Sequence, residues 1–241
     1  MVKFSLEEIK KTRKRPISFI PVLFIDPVAI RVLWFICNYT KLTPSMVTFV
    51  GLTMGVLSCF FVTQEKLVYS CLFFEIYYIL DCVDGKLARL TKQSSLFGDM
   101  LDHFGDLILF FSLSMSYIYL FLINDYEWIY LYLMISFLFL ITFNNFVSFY
   151  FKSKSVTTEK NNDISPNSNY VSNFKTFLNS RGIYFRLDNT EAIHLMFFLG
   201  PLILVFSPDF YYLIVITAII SLIISILSMV IRNKRIIFSK D

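Results

Sequence analysis

Residues 76–111 read IYYILDCVDGKLARLTKQSSLFGDMLDHFGDLILFF, and they place four regularly spaced aspartates between two apolar segments. Asp81 and Asp84 end the first apolar segment, and Asp102 and Asp106 begin the second. Separations of three and four residues put the members of each pair on one face of a helix. A short connection makes the two helices antiparallel neighbours, so we expect the two pairs of carboxylates to face each other.

The rest of the chain is apolar enough to surround these helices with lipid. Of its 241 residues, 56% are hydrophobic and 17% are charged, whereas soluble domains average about 45–50% and about 25%. These values exclude a disordered chain and favour a polytopic membrane protein. The net charge of +4 is small and the basic residues form no basic-aromatic surface, so we expect no nucleic-acid partner.

Six segments have close to the roughly 20 residues that cross a bilayer. They are residues 44–63, 67–89, 99–123, 128–151, 191–207 and 210–232. Ahead of them, residues 27–38 predict a short amphipathic helix that lies on the membrane surface. The sequence therefore predicts an all-α membrane protein with six transmembrane helices preceded by a short interfacial amphipathic helix.

The basic residues predict the orientation of these spans. The turns after the first, third and fifth spans contain one basic residue, Lys66, of the 22 in the chain. Because cytoplasmic loops carry an excess of Lys and Arg, we expect both termini and the acidic ends of the second and third spans on the cytoplasmic side. The predicted division is a cytoplasmic segment with the juxtamembrane helix at 1–43, a transmembrane catalytic domain at 44–232 and a cytoplasmic tail at 233–241.

Four carboxylates in a site of low dielectric constant repel one another. Either some of them are protonated, or cations neutralise them. Two divalent ions carry the matching charge, and two metals can clamp the attacking and leaving oxygens at a phosphorus atom. Oxygen ligands favour Mg²⁺ or Mn²⁺. Two other uses of these aspartates remain open, namely a polar network that fixes helix packing and a cation or proton pathway.

The full pattern is Asp81-x2-Asp84-Gly85-x2-Ala88-Arg89-x8-Gly98-x3-Asp102-x3-Asp106. At every fixed position it resembles the DxxDGxxAR-x8-GxxxDxxxD motif of the CDP-alcohol phosphotransferase family, also called the CDP-alcohol phosphatidyltransferases. The first span opens with Thr43-Pro44-Ser45-Met46-Val47-Thr48. This stretch is similar to the family's Thr-Pro-Asn-x-x-Thr sequence, with Ser45 in the place of Asn. The six-span layout extends the resemblance along most of the chain.

The resemblance implies a reaction and a set of site residues. A substituted phosphate passes from a CDP-linked donor to an alcohol, and CMP is released. By resemblance, two divalent ions are bound by Asp81, Asp84, Asp102 and Asp106, and Asp106 is also the general base. The residues expected to bind the donor are Gly85, Ala88, Arg89, Ser95, Gly98, Ser45 and Thr48. Among them, Arg89 suits a bidentate contact with a phosphate.

The substrates are expected from the family and from the charge of the loops. We expect CDP-diacylglycerol as donor, glycerol phosphate or inositol phosphate as acceptor, and membrane lipid around the protein. The candidates for acceptor binding are Lys152, Lys154, Arg181, Arg186 and Asn145. One alternative is a CDP-choline or CDP-ethanolamine type transferase with a lipid alcohol acceptor. A remote alternative is a cation or proton transporter.

A few residues outside the motif have two interpretations each. Gly51 and Gly55 form a GxxxG pattern, which marks either close helix contact within the bundle or the face of a homodimer. His103 is expected either to pack or to support the site, and His194 either to line the acceptor pocket or to bond between helices. Glu75 is expected to be a paired structural acid rather than a catalytic one.

Overall fold

The computed structural model describes residues 4–12, 24–124, 128–155, 189–206 and 216–227, and every regular element within these ranges is helical. In chain order the α-helices are α1 Leu6–Lys11, α2 Asp26–Tyr39, α3 Pro44–Thr63, α4 Leu67–Thr91, α5 Leu96–Ile123, α6 Trp128–Ser155, α7 Asn189–His194, α8 Gly200–Phe206 and α9 Ile216–Leu227. A π-helical turn, Leu195–Leu199, joins α7 to α8. The prediction of an all-helical protein is confirmed for these ranges.

Two helices in the described part of the chain are long and apolar enough to cross a membrane. They are α3, with a mean hydropathy of 2.0, and Met100–Ile123 of α5, with a mean hydropathy of 1.9. The helix α4 has 25 residues, but Glu75, Asp81 and Asp84 lower its hydropathy. A helix is observed at the predicted position, as α2. Its location on the membrane surface and the six membrane spans remain predictions.

Local signals explain where the helices that carry the aspartates begin and end. The helix α3 begins at Pro44, and the Oγ1 of Thr43 accepts a hydrogen bond from the N–H of Met46. Ser95 caps α5 in the same way, because its Oγ accepts from the N–H of Gly98 at 3.0 Å. The helix α4 ends at Lys92, whose φ of 56° is left-handed. Only residues 92–95 then separate α4 from α5, so their acidic ends are adjacent.

Glycines allow α3 to approach α5 closely. A Cβ on Gly55 would lie 2.5 Å from the methyl carbons of Leu109, and a Cβ on Gly105 would lie 2.9 Å from those of Leu52. Each helix therefore receives a leucine of the other at a glycine. Gly51 faces α4 within the same chain, so the GxxxG pattern serves contact inside the bundle.

Candidate active site

Three of the four predicted aspartates meet between α4 and α5. Asp81 from α4 and Asp102 and Asp106 from α5 each offer a carboxylate oxygen, and these oxygens lie within 4.8 Å of one another. Asp102 and Asp106 share a face because they are one helical turn apart. The structure thus joins residues that are 21 and 25 positions from Asp81 in the sequence.

Asp84 lies beside this cluster and is bound to α3. Its side chain is buried, and the Oγ1 of Thr48 donates a hydrogen bond to it at 2.5 Å. Thr48, predicted as a donor-binding residue, therefore contacts a motif aspartate directly. Ser45, predicted from the same stretch of sequence, is exposed on the first turn of α3.

A small cavity opens among α3, α4 and α5. The residues that line it are Thr48, Gly51, Leu52, Tyr77, Asp81, Asp84, Asp102 and Asp106. All four motif aspartates therefore border one space.

The donor atoms in this cavity fit a divalent cation. Oδ1 of Asp102 is buried and has no hydrogen-bond partner among the residues described. Among the residues described, the acids that lie within ion-pair distance of a basic side chain are Asp26 and Glu75, which are not members of the cluster. A buried carboxylate oxygen without a partner costs free energy. Several carboxylate oxygens in reach of one another are the ligands that Mg²⁺ and Mn²⁺ prefer.

Tyr77 belongs to the site although no motif position marks it. Its hydroxyl donates a hydrogen bond to Oδ1 of Asp106, and its side chain is buried. The signal that could have revealed it is its spacing, since it precedes Asp81 by four residues on α4 and so shares the acidic face. The hydrogen bond holds one oxygen of Asp106 in a set direction.

The guanidinium group of Arg89, in the last turn of α4, lies next to Gly85. A Cβ on Gly85 would lie 3.4 Å from Nη1 of Arg89. The Nε of Arg89 donates a hydrogen bond to the carbonyl oxygen of Thr12 at 3.0 Å. The guanidinium group is thus held between the N-terminal segment and the motif helix.

Other predicted donor-binding residues make contacts at helix ends. Ser95 and Gly98 form the cap of α5, and the carbonyl of Ala88 accepts from the N–H of Gln93 at 2.9 Å where α4 ends. These contacts explain why α4 ends and α5 begins at these residues. The role of the three residues in donor binding stays a prediction.

The residues predicted to bind the acceptor lie further along the chain. Asn145, Lys152 and Lys154 are on α6, and the structure describes the helical backbone alone at these positions. Arg181 and Arg186 lie outside the residues that the structure describes.

Glu75 lies next to His194, across the contact between α4 and α7. Nε2 of His194 is 3.7 Å from Oε1 of Glu75, and Nδ1 is 2.9 Å from the carbonyl oxygen of Thr190. The ring of Tyr78 meets the imidazole edge-on with centroids 4.3 Å apart. The Nε2 atom of His194 has no hydrogen-bond partner among the residues described, so the pairing of Glu75 stays a prediction, whereas His103 is exposed.

A second buried pair of charges lies close to the aspartates. Nζ of Lys86 is 2.9 Å from Oδ1 of Asp26, and both side chains are almost fully buried. The pair joins α2 to α4. Sequence reasoning missed it because Lys86 occupies a variable position of the motif and Asp26 is 60 residues away in the chain.

The chain is similar in sequence to known proteins. The family model described as CDP-alcohol phosphatidyltransferase matches residues 41–239. The CDP-diacylglycerol--serine O-phosphatidyltransferase of Helicobacter pylori strain ATCC 700392 / 26695 is 34% identical over 73 residues, which are 30% of this chain and 31% of that relative. The protein of the same name from strain J99 / ATCC 700824 is 33% identical over 73 residues, with the same coverage of both chains. Each relative is thus matched over less than a third of its length. Because the family model spans most of the sequence, including both acidic helices, the chain belongs to the CDP-alcohol phosphatidyltransferase family.

Proposed function

We propose that this chain transfers the phosphatidyl group of CDP-diacylglycerol to a small polar alcohol and releases CMP, as a step of phospholipid biosynthesis. The observation that carries the proposal is the cluster of Asp81, Asp102 and Asp106, whose oxygens lie within 4.8 Å of one another in a chain of this family. The names of the two relatives support CDP-diacylglycerol as the donor.

We propose two divalent cations, Mg²⁺ or Mn²⁺, as cofactors, with Asp81, Asp84, Asp102 and Asp106 as their ligands. Such ions, when bound, draw charge from the diphosphate and stabilise CMP as a leaving group. The unpartnered Oδ1 of Asp102 and the shared cavity support this assignment.

Asp106 acts in the proposal as general base. Its carboxylate accepts the proton of the acceptor hydroxyl. The hydroxyl oxygen then forms a bond to the phosphatidyl phosphorus, and the bond from that phosphorus to the oxygen of CMP breaks. CMP leaves with the electron pair of that bond. The hydroxyl of Tyr77 orients the carboxylate for this step through its hydrogen bond.

Residues at the end of α4 bind the donor in the proposal. Arg89 contacts a phosphate of the CDP group, and Gly85 and Ala88 let that group approach the helix closely because they lack bulky side chains. The proximity of Arg89 to Gly85 supports this arrangement. Ser45, Thr48, Ser95 and Gly98 complete the proposed set.

We propose that residues 44–232 form six membrane spans with the aspartates and both termini on the cytoplasmic side. The test uses a chain in which the four native cysteines are replaced. A cysteine at Gln64 and one at Gln93, both at exposed turns, should react with an impermeant maleimide from opposite sides. Labelling of both from one side would contradict the topology.

The acceptor has candidates from two sources. The names of the relatives favour serine, and the basic residues near the predicted cytoplasmic face favour glycerol phosphate or inositol phosphate. The purified protein, supplied with CDP-diacylglycerol and Mg²⁺ or Mn²⁺, is incubated with each of the three, and CMP release is recorded. We expect release to depend on the metal and on one of these alcohols.

Two further arms of this experiment test the competing functions. CDP-choline or CDP-ethanolamine is supplied with diacylglycerol in one arm, and cation flux into liposomes is followed in the other. CMP release in the first of these arms alone would overturn CDP-diacylglycerol as donor. Flux without CMP release under any condition would overturn the transferase.

A further inference from the structure

The N-terminal helix α1 reaches the donor site although it lies outside residues 41–239, the range that the family model matches. Its contact with the site is the hydrogen bond of 3.0 Å from Nε of Arg89 to the carbonyl oxygen of Thr12. These two residues are 77 positions apart in the sequence. Thr12 caps the C-terminal end of α1, where carbonyl groups lack helical partners and attract cationic side chains.

The start of α1 is held as firmly as its end. The side-chain amide of Asn38 on α2 accepts from the N–H of Phe4 at 3.0 Å and donates to its carbonyl oxygen at 3.1 Å. Ser5 then caps the helix through a capping box with Glu8. The hydrogen bond from the backbone N–H of Ser5 lowers the pKa of Glu8.

The middle of α1 is anchored by a single apolar residue. Ile9 is fully buried against α2 and α4, in a cluster that includes Leu33 and Leu87. Leu6, one turn earlier on the same helix, is 45% exposed. The ion pair between Lys86 and Asp26 fixes α2 to α4 beside this cluster. The helix α1 is therefore placed by contacts at both ends and at its centre.

We propose that α1 is a positioning element of the donor site, whose last carbonyl holds Arg89 so that its terminal nitrogens lie over Gly85. With Nε engaged by Thr12, the Nη1 and Nη2 atoms lie within 4.0 Å of the position that a Cβ on Gly85 would occupy. This arrangement presents two N–H donors to a phosphate of the CDP group. The inference rests on the proposed function, because it needs a CDP-linked donor at this place.

The test compares two alanine substitutions on α1. Ile9→Ala loosens the helix, and Leu6→Ala is the matched control, because it shortens an exposed apolar side chain of the same helix. We expect Ile9→Ala to raise the KM for CDP-diacylglycerol about tenfold, as for one lost hydrogen bond to a charged group. We expect kcat and the KM for the acceptor to stay near their wild-type values, and Leu6→Ala to match the wild type throughout.

A double-mutant cycle with Arg89 separates positioning from general stability. If α1 acts through Arg89, Ile9→Ala has no further effect on the donor KM in the Arg89→Ala background. The inference would be overturned if the two substitutions raised the donor KM by independent factors that multiply in the double variant. It would also be overturned if Ile9→Ala left the donor KM unchanged. Asn38→Ala loosens the same helix from its other end and should reproduce the result if Ile9→Ala does not fold.

The outcomes also distinguish this inference from the proposed function. CMP release by the wild type together with an unmoved donor KM in Ile9→Ala and Asn38→Ala overturns the inference alone. Absence of CMP release by the wild type overturns the proposed function and the inference with it. Amide hydrogen exchange supplies a readout apart from activity, because Arg89→Ala should speed exchange in residues 6–12 and Leu6→Ala should not.

Discussion

Two groups of charges on helix α4, one buried and one half-buried, differ in whether their charges cancel. Lys86 meets Asp26 at 2.9 Å, so this pair is complete within the chain. Asp81, five residues earlier, joins Asp102 and Asp106 without an ion pair to any residue that the structure describes. A buried carboxylate needs an opposite charge or a proton. The comparison therefore separates a contact that holds helices together from a site that needs a ligand.

The largest difference between the two groups should be seen in activity. Asp106→Asn should lower CMP release about 10²- to 10⁴-fold, the usual contribution of a general base. Its thermal stability should be preserved, because the substitution removes a charge from a repelling cluster. His103→Asn, at an exposed position on the same helix, is the control and should retain activity. CMP release by Asp106→Asn near the wild-type rate would contradict the assignment.

Breaking the ion pair between Lys86 and Asp26 should reduce the stability of the protein. Lys86→Met should lower the free energy of unfolding by about 3–5 kcal/mol, because it removes the ammonium group that pairs with the buried carboxylate of Asp26. The double variant Asp26→Leu/Lys86→Met should recover most of this loss. Denaturant titration measures both. A loss in the single variant well under 1 kcal/mol would show that water reaches the pair.

Stabilisation by a divalent metal should depend on the aspartate cluster and not on the ion pair. Mn²⁺ at about 100 times its Kd should stabilise the chelator-treated wild type by about 2.7 kcal/mol. Asp81→Asn should lose this stabilisation, and Lys86→Met should keep it. Thermal unfolding with and without Mn²⁺ gives the comparison. An equal response of Asp81→Asn and wild type would place the metal elsewhere.

The smallest predicted effect concerns the hydrogen bond that supports the acid cluster. Tyr77→Phe removes the hydroxyl that donates to Asp106 and should lower kcat about tenfold, as for one hydrogen bond to a charged group. Tyr69→Phe, at an exposed position on the same helix, is the matched control. A wild-type rate in Tyr77→Phe would show that Asp106 is oriented without it.

Local signals predicted much of the fold and part of the site. The predicted first span, 44–63, coincides with α3, because Thr43 and Pro44 mark its start and a long apolar run follows. The predicted interfacial helix differs from α2 by one residue at each end. Aspartates at helical spacing predicted the acidic face. Such inferences succeed because they depend on residues within one or two turns of each other.

The contacts that complete the site join distant parts of the chain, and no local pattern encodes them. The hydrogen bond between Tyr77 and Asp106 and the ion pair between Lys86 and Asp26 each need two helices in a particular rotation. The packing of α3 on α5 also depends on distant residues, because Gly55 and Gly105 each receive a leucine of the other helix. Sequence spacing specifies the face of one helix, but not which residue of another helix meets it.

The amino-acid sequence alone determined the helical class, the family motif and the faces on which the four aspartates lie, because helical periodicity and composition are local properties. Tertiary structure decided that Asp81 meets Asp102 and Asp106, that Thr48 bonds to Asp84 and that Thr12 holds Arg89. These contacts depend on how whole helices pack. Packing is a collective result of many side chains, and its outcome appears only when the helices are placed together.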